Sequence, residues 1–263
     1  MTPEQRYLFD VQGFLLLSGA LSDDEVASAR TAAEKYSRSE SLPIGFSVEG
    51  LLHKHGFAFD PSLQSLTMHP SYWPIILELT NGKPRLVSGT LQISRHDLQD
   101  EATRLHCARE DWGWDSSRYQ VKQGRIFTDH VVIFPYLTDV YPGDGGVVVL
   151  PGSHKSEFDR PSELFDGGML GNGPLPDGLV NVTPKAGDVL IISESLTHGA
   201  LPWIPVNRER IILVLRYRSQ TASASELPKE ILNRLSPDVR ELVAPAGPTD
   251  EKKIAEHWQK KVE

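Results

Sequence analysis

Two histidines far apart in the sequence have the type and setting of metal ligands. His106 follows a run that is predicted to end as a strand near Ser94, and His198 follows the apolar run at 189–192. Both therefore lie at strand exits, which in a β-barrel or jelly roll point into the mouth of the barrel. Imidazole suits iron, and two histidines with one carboxylate form the facial triad of non-haem iron oxygenases. The pattern predicts that His106 and His198 hold one metal ion.

An arginine downstream could bind an anion at the same site. Arg210 lies twelve residues after His198 and opens the apolar strand at 211–215. A guanidinium inside a barrel must pair with an anion, and it binds a carboxylate through two parallel hydrogen bonds. The structural alternative is a surface salt bridge, for example with Glu209. Arg208 is a competing candidate two residues earlier, and Thr197 and Gln92 are further candidates for contact with a co-substrate.

The composition excludes several classes of function. The chain has 263 residues with a formal net charge of −8, so a nucleic-acid partner is not expected. The single cysteine, Cys107, allows neither a disulfide framework nor a cysteine-based zinc site. It fits a reducing compartment, and with neither a signal peptide nor a membrane-spanning apolar run in the sequence, we expect a cytoplasmic protein without a membrane partner. The sequence leaves the oligomeric state open.

Helix signals are concentrated in the first third of the chain. The segment from Ser22 to Glu25 is a capping box, which predicts a helix from Asp23 to about Tyr36. Further helical pieces are predicted after Asp60-Pro61 and over 71–80, whereas 45–59 has no clear period and is predicted to be a loop.

The pattern then changes to short strands rich in valine and isoleucine, separated by turn residues. The predicted strands are 85–94, 127–136, 146–150, 179–183, 188–193 and 210–218. Pro135 within one of them suggests an edge strand or a bulge. We therefore predict a mostly β fold with flanking helices, a cupin-like double-stranded β-helix or jelly roll. It forms one domain over 1–263: a helical part at about 1–82, the core at 83–220 and a helical tail at 221–263.

Several motifs occur over roughly residues 10 to 220: Leu105-His106, 136–140 with 142–146, PGSHK at 151–155, KAGDVL at 185–190, LTHG at 196–199 and the strand at 210–217. Together they resemble the motifs of the phytanoyl-CoA dioxygenase family of iron(II)/2-oxoglutarate-dependent oxygenases. The resemblance implies a jelly roll that uses Fe(II), 2-oxoglutarate and O2 on a small-molecule substrate. It makes His106 and His198 the metal ligands and Arg210 the partner of the distal carboxylate of 2-oxoglutarate. His154, in the PGSHK segment, is predicted to have a structural role.

The sequence departs from the family pattern at Ala108. The family has aspartate two residues after the first histidine, so one negative charge and one coordination position are open. The position can be filled by chloride or water, as in iron/2-oxoglutarate halogenases that carry alanine or glycine there. It can be filled by a carboxylate from elsewhere, for which Glu110, Asp111 and Asp129 are candidates, or the chain can have lost its metal.

These alternatives lead to different functions. An iron site predicts oxidation of an unactivated C–H bond, either as hydroxylation or, with chloride at the open position, as halogenation. Loss of the metal would leave a non-catalytic jelly-roll binding protein. A different metal would suit a cupin-type isomerase, which would consume no O2.

Overall fold

Capped helices cover one side of the fold. The structure, a computed structural model, describes residues 1–98, 104–108, 118–161 and 175–255. Thr2 and Ser22 each begin a helix with a complete capping box, and the helix over Asp23–Ser37 buries Val26, Ala29, Ala32 and Ala33. The prediction for this helix is confirmed. The described helices are α1 (Pro3–Gln12), α2 (Asp23–Ser37), α3 (Pro61–Ser65), α4 (Trp73–Leu79), α5 (Lys229–Leu232) and α6 (Pro237–Val243).

Two antiparallel sheets form the centre of the molecule. The described strands are β1 (Phe14–Leu17), β2 (Val48–Glu49), β3 (Leu52–His53), β4 (Pro84–Ser94), β5 (Tyr119–Lys122), β6 (Arg125–Thr128), β7 (His130–Pro135), β8 (Gly146–Val149), β9 (Val180–Asn181), β10 (Val189–Ser193), β11 (His198–Leu201) and β12 (Arg210–Ser219). The larger sheet has seven strands in the order β1-β10-β7-β12-β4-β3-β2, and the smaller has the order β11-β8-β9. A separate hairpin joins β5 and β6. This arrangement confirms the predicted jelly roll with flanking helices.

The two faces of the large sheet serve two separate cores, because successive side chains of a strand point to opposite faces. On β12, Ile211, Leu213 and Leu215 pack in the core that includes the helices. The alternate residues Ile212 and Val214 pack with β7, β8 and β10 in a core between the two sheets. Arg210 has the same alternation as Ile212, so its side chain belongs to the inner face.

Three local predictions were wrong. The segment at 45–59 contains β2 and β3, which extend the large sheet through pairing of β3 with β4. The predicted strand at 127–136 is divided at Asp129 into β6 and β7. Pro135 is the last residue of β7, which lies between β10 and β12, so it ends an internal strand rather than marking an edge. Among the described residues, no helix is long and apolar enough to span a membrane.

Candidate metal centre

The two predicted histidine ligands lie side by side. The amide of His106 donates to the carbonyl of His198 across 2.8 Å, and the reciprocal bond measures 2.9 Å. The ring centroids are 4.2 Å apart, with the ring planes tilted by 53°. His198 is the first residue of β11, so it opens a new strand rather than closing β10. The backbone pairing fixes the separation of the two imidazoles before any ion binds.

Both imidazoles are oriented in the same way. Nδ1 of His198 lies 2.8 Å from the carbonyl oxygen of Leu196, and Nδ1 of His106 lies 3.1 Å from that of Arg104. A carbonyl oxygen can only accept, so each Nδ1 carries the proton in these bonds and the lone pair belongs to Nε2. Histidine ligands of metal ions are oriented by this kind of bond on the second nitrogen.

A glutamate converges on the two histidines. Ligand atoms of His106, Glu194 and His198 all lie within 4.8 Å of one another. Glu194 follows β10 directly and is fully buried, with a relative exposure of 0%. Its carbonyl accepts a 2.8 Å hydrogen bond from the amide of Ala108. Ala108, which stands where a metal-binding aspartate was expected, is therefore hydrogen-bonded through its backbone to a residue with a carboxylate side chain.

The carboxylate of Glu194 has little compensation from the protein. Neither oxygen has a hydrogen-bond partner within the described part of the chain. The charged contact at this carboxylate is with Nε of Arg216, 3.8 Å from Oε2, and Arg216 is partly exposed to solvent. A buried carboxylate normally accepts several hydrogen bonds or binds a cation.

Of the carboxylates that were proposed from the sequence, Asp129 does not fill the open position. Asp129 accepts a 3.0 Å hydrogen bond from the amide of Arg118 and is not part of the converging group. Glu110 and Asp111 lie outside the described residues. Sequence reasoning missed Glu194, although a charged residue placed immediately after the buried run of β10, and four residues before His198, was a usable signal.

Arg210 lies fully buried at the start of β12. Its Nη2 donates to Oγ of Ser94, 2.9 Å away, while Nε and Nη1 have no hydrogen-bond partner among the residues described. Burial lowers the pKa of Arg210, but a guanidinium remains charged at neutral pH. The unpaired edge of the guanidinium is therefore a preformed site for a carboxylate.

Tyr136 and Gly146 border this arginine. The Tyr136 hydroxyl is also buried without a hydrogen-bond partner in the described structure, and burial raises the pKa of Tyr136 to about 12, so the hydroxyl stays protonated and can donate. Gly146 has φ of +85°, and a Cβ there would lie 2.9 Å from Nη1 of Arg210. The glycine keeps the space beside the guanidinium open. Neither Tyr136 nor Ser94 was singled out from the sequence.

The other predicted contacts with a co-substrate have different surroundings. Arg208 precedes β12, forms a salt bridge with Asp144 and lies over the ring of Tyr141 at 4.8 Å. These contacts engage the guanidinium of Arg208, whereas Nε and Nη1 of Arg210 have no hydrogen-bond partner among the described residues. The role of Arg208 at the co-substrate stays a prediction. The amide of Thr197 donates to Oγ of Ser153 across 2.8 Å. The remaining candidate is half-buried Gln92, whose register partner Ile212 faces the core between the sheets.

His154 and His130 are also buried, and both lie outside the converging group. His154 Nε2 is 3.1 Å from the carbonyl oxygen of Asp10, and its ring meets that of Tyr119 edge-on at 4.3 Å. These contacts agree with a structural role. Burial lowers the pKa of His130 to about 4, so this imidazole is neutral near pH 7.

Comparison with known proteins identifies the family. Residues 9–203 match the family profile described as phytanoyl-CoA dioxygenase (PhyH). The chain belongs to the phytanoyl-CoA dioxygenase family. This membership confirms the resemblance, and with it an enzyme of the iron- and 2-oxoglutarate-dependent oxygenase class.

A relative and several solved structures extend the match. The chain is 24% identical over 236 residues to ectoine dioxygenase of Nocardia farcinica (strain IFM 10152), which covers 80% of this chain and 76% of that protein. The structure of HygX from Streptomyces hygroscopicus with nickel, 2-oxoglutarate and hygromycin B aligns with a TM-score of 0.68 at 24% identity, and the alignment covers 86% of this chain and 90% of HygX. The epimerase SnoN from nogalamycin biosynthesis aligns with a TM-score of 0.61 at 18% identity, and the alignment covers 94% of this chain and 95% of SnoN. Both structures have the same fold as this chain.

Proposed function

We propose that the protein hydroxylates an unactivated C–H bond of a small molecule, with His106 and His198 as iron ligands and Arg210 as the partner of 2-oxoglutarate. In the balanced reaction, one atom of O2 enters the substrate as a hydroxyl group and the other enters succinate, while 2-oxoglutarate loses CO2. The observation that carries the proposal is that one jelly roll holds two oriented imidazoles side by side and a buried guanidinium whose Nε and Nη1 have no hydrogen-bond partner among the described residues.

The donor set fits the cofactors of the family. Two imidazoles whose Nδ1 atoms are tied to carbonyls present Nε2 to a metal, and imidazole suits iron. A guanidinium with two unpaired nitrogens suits the distal carboxylate of a dicarboxylate. When bound, iron supplies the oxygen chemistry.

The residues of the chain have the task of positioning. Arg210 and the Tyr136 hydroxyl would donate to the distal carboxylate, with Ser94 holding the guanidinium in place. Since these groups are buried, their hydrogen bonds act in a low dielectric, which strengthens them. His106 and His198, which the pairing of their backbones places side by side, would hold the ion.

Halogenation is the second candidate, and Ala108 is the observation that favours it. Alanine leaves room for a halide, and in related enzymes that lack the aspartate chloride takes this place. The outcome depends on whether a protein carboxylate reaches the position. The epimerase named among the structural relatives adds a third outcome, in which the substrate keeps its mass.

The names of the relatives suggest first substrates. Ectoine, from the name of the curated relative, and hygromycin B, from the HygX complex, represent two classes of polar small molecule.

The test measures turnover and product together. Anaerobic addition of Fe(II) and 2-oxoglutarate should produce the visible charge-transfer absorption of a chelate, and O2 should then yield succinate even without substrate. His198→Ala should abolish both, whereas Asp129→Asn should leave both unchanged. Mass spectrometry of candidate substrates distinguishes gain of oxygen, exchange of hydrogen for chlorine, and unchanged mass. Succinate formation retained in His198→Ala would refute the ligand assignment.

A further inference from the structure

We propose that Glu194 is the third protein ligand of the metal, replacing the carboxylate that is missing at Ala108. The inference rests on the proposed function, in which His106 and His198 hold iron, and it goes further by assigning the open coordination position. It predicts a complete site of two histidines and one glutamate in which the acid comes from the segment between β10 and β11.

Geometry is the first support. Within the described residues, one group of three potential metal ligands converges: His106, Glu194 and His198. One ligand atom of each side chain lies within 4.8 Å of the other two. Atoms that share one metal ion lie about this far apart or less, because each ligand atom is roughly 2 Å from the ion. Small side-chain rotations would thus suffice to bring all three onto a single ion.

The absence of hydrogen bonds to the Glu194 carboxylate within the described residues is the second support. Glu194 is fully buried, and neither oxygen has a hydrogen-bond partner in the described part of the protein. An isolated buried charge is costly, so such a group normally pairs or binds a metal. A divalent ion between the two imidazoles would provide the compensation.

The position of Glu194 explains how one acid can substitute for another. The family's acid occurs at position 108, and the amide of Ala108 bonds to the carbonyl of Glu194 at 2.8 Å. The two residues are thus direct neighbours across the backbone pairing that also joins His106 to His198. A glutamate side chain is one methylene longer than aspartate, which gives it additional reach from the neighbouring segment.

Charge then decides what else the ion accepts. With two neutral imidazoles, Glu194 and dianionic 2-oxoglutarate, a ferrous site carries the same net charge as the usual site with aspartate. Chloride would add a further negative charge beside a buried carboxylate, which is unfavourable at low dielectric. The presence of Glu194 therefore favours hydroxylation over halogenation, although Ala108 alone suggests the opposite.

An ion pair with Arg216 is the structural alternative for Glu194. The pair is long, at 3.8 Å, it involves Oε2 only, and Arg216 is 30% exposed while Glu194 is 0% exposed. Buried ion pairs stabilise a protein only with close geometry and additional hydrogen bonds. A single long contact to Oε2 leaves Oε1 without a hydrogen-bond partner in the described structure.

The experiment measures metal binding without turnover. Anaerobic equilibrium dialysis with Co(II) gives dissociation constants for the wild type, Glu194→Gln, His198→Ala, Asp129→Asn and the double variant Ala108→Asp/Glu194→Ala. Removing even an outer partner of a metal ligand costs about 10- to 100-fold in affinity, so loss of the Glu194 ligand should cost more than about 100-fold. The double variant, which returns the acid to position 108, should recover most of the affinity, and Asp129→Asn should bind as the wild type does.

A chloride titration of the Co(II) protein is the second readout. The titration is run with 2-oxoglutarate bound, so that the two proteins differ in the position that Glu194 would fill. Chloride should change the visible absorption of Co(II) at a lower concentration in Glu194→Ala than in the wild type. Wild-type affinity in Glu194→Gln, or the same chloride dependence in Glu194→Ala and the wild type, would overturn the inference. If those results occur while His198→Ala still loses Co(II), the proposed iron site stands and only the Glu194 assignment fails. Failure of the wild type to bind Co(II) would overturn both.

Discussion

The amide of Ala108 donates a 2.8 Å hydrogen bond to the carbonyl oxygen of Glu194. This bond joins the position that lacks the family's metal-binding acid to a buried acid without a hydrogen-bond partner in the described structure. A second pair of backbone bonds, between His106 and His198, aligns the same two segments. Position 108 and the buried acid of Glu194 thus lie on two segments that the same backbone pairing aligns.

Arg216 should matter more to the metal-free protein than to the metal-bound one. In the absence of an ion it is the cation next to the Glu194 carboxylate, at 3.8 Å. Arg216→Met should therefore destabilise the metal-free protein by about 1 kcal/mol, a small value because the arginine is partly solvated. Saturating Co(II) should remove most of this difference in thermal unfolding.

A double-mutant cycle provides the control for Arg216. In the Glu194→Gln background, Arg216→Met should cost almost nothing, since the charge that it compensates is gone. An equal loss of stability with and without Co(II) would contradict the assigned relationship between the two side chains.

Arg210 should control affinity for 2-oxoglutarate. Removing one partner of a buried, hydrogen-bonded charge pair costs about 2 kcal/mol or more, so Arg210→Ala should raise the dissociation constant at least about 30-fold. Arg210→Lys keeps the charge but loses the paired donors, so its dissociation constant should lie between those of the wild type and Arg210→Ala. Titration of 2-oxoglutarate into the anaerobic Co(II) protein measures the effect, and unchanged affinity in Arg210→Ala would exclude this anchor.

Tyr136→Phe should separate binding from stability. The hydroxyl is buried without a hydrogen-bond partner among the residues described, so its removal should leave the free protein equally stable or more stable. Affinity for 2-oxoglutarate should fall about tenfold if the hydroxyl donates to the distal carboxylate.

Tyr217→Phe is the matched control, because the buried Tyr217 hydroxyl donates to the carbonyl of Thr67 at 2.6 Å. It should destabilise the fold by about 1 kcal/mol and leave 2-oxoglutarate binding unchanged.

The sequence predicted the parts of the site that local patterns encode. His106, His198 and Arg210 each adjoin an apolar run or a family motif, and the capping box of α2 needs only four consecutive residues. Glu194, Tyr136 and Ser94 become recognisable only through contacts between distant segments, such as the pairing of Ala108 with Glu194. Arg208 was a plausible anchor on spacing alone, and its salt bridge with Asp144 depends on tertiary structure.

Acid should weaken the start of α2. Hydrogen bonds from the amide and hydroxyl of Ser22, followed by one with His69, lower the pKa of Glu25 from 4.5 to about 2. A carboxyl whose folded pKa is depressed contributes stability above its unfolded pKa and loses it as pH falls to the folded value. Glu25→Gln should therefore be slightly less stable than the wild type at pH 7, with the two curves converging near pH 2. Urea unfolding across this range tests the sign, and a constant difference would contradict it.

Gly146 should be needed for the space beside Arg210 as well as for its backbone conformation. A methyl group at this position would lie 2.9 Å from Nη1 of Arg210, and φ of +85° is unfavourable for any residue with a Cβ. Gly146→Ala should therefore lower the free energy of unfolding by about 1–2 kcal/mol and also weaken 2-oxoglutarate binding, because the guanidinium must move.

Gly143 is the matched control, since its φ is +90° and a Cβ there would have no atom within 4 Å. Gly143→Ala should show the backbone cost alone, measured by thermal unfolding, with normal 2-oxoglutarate affinity. If both variants bind 2-oxoglutarate equally well, then the open space at Gly146 has no part in holding the co-substrate.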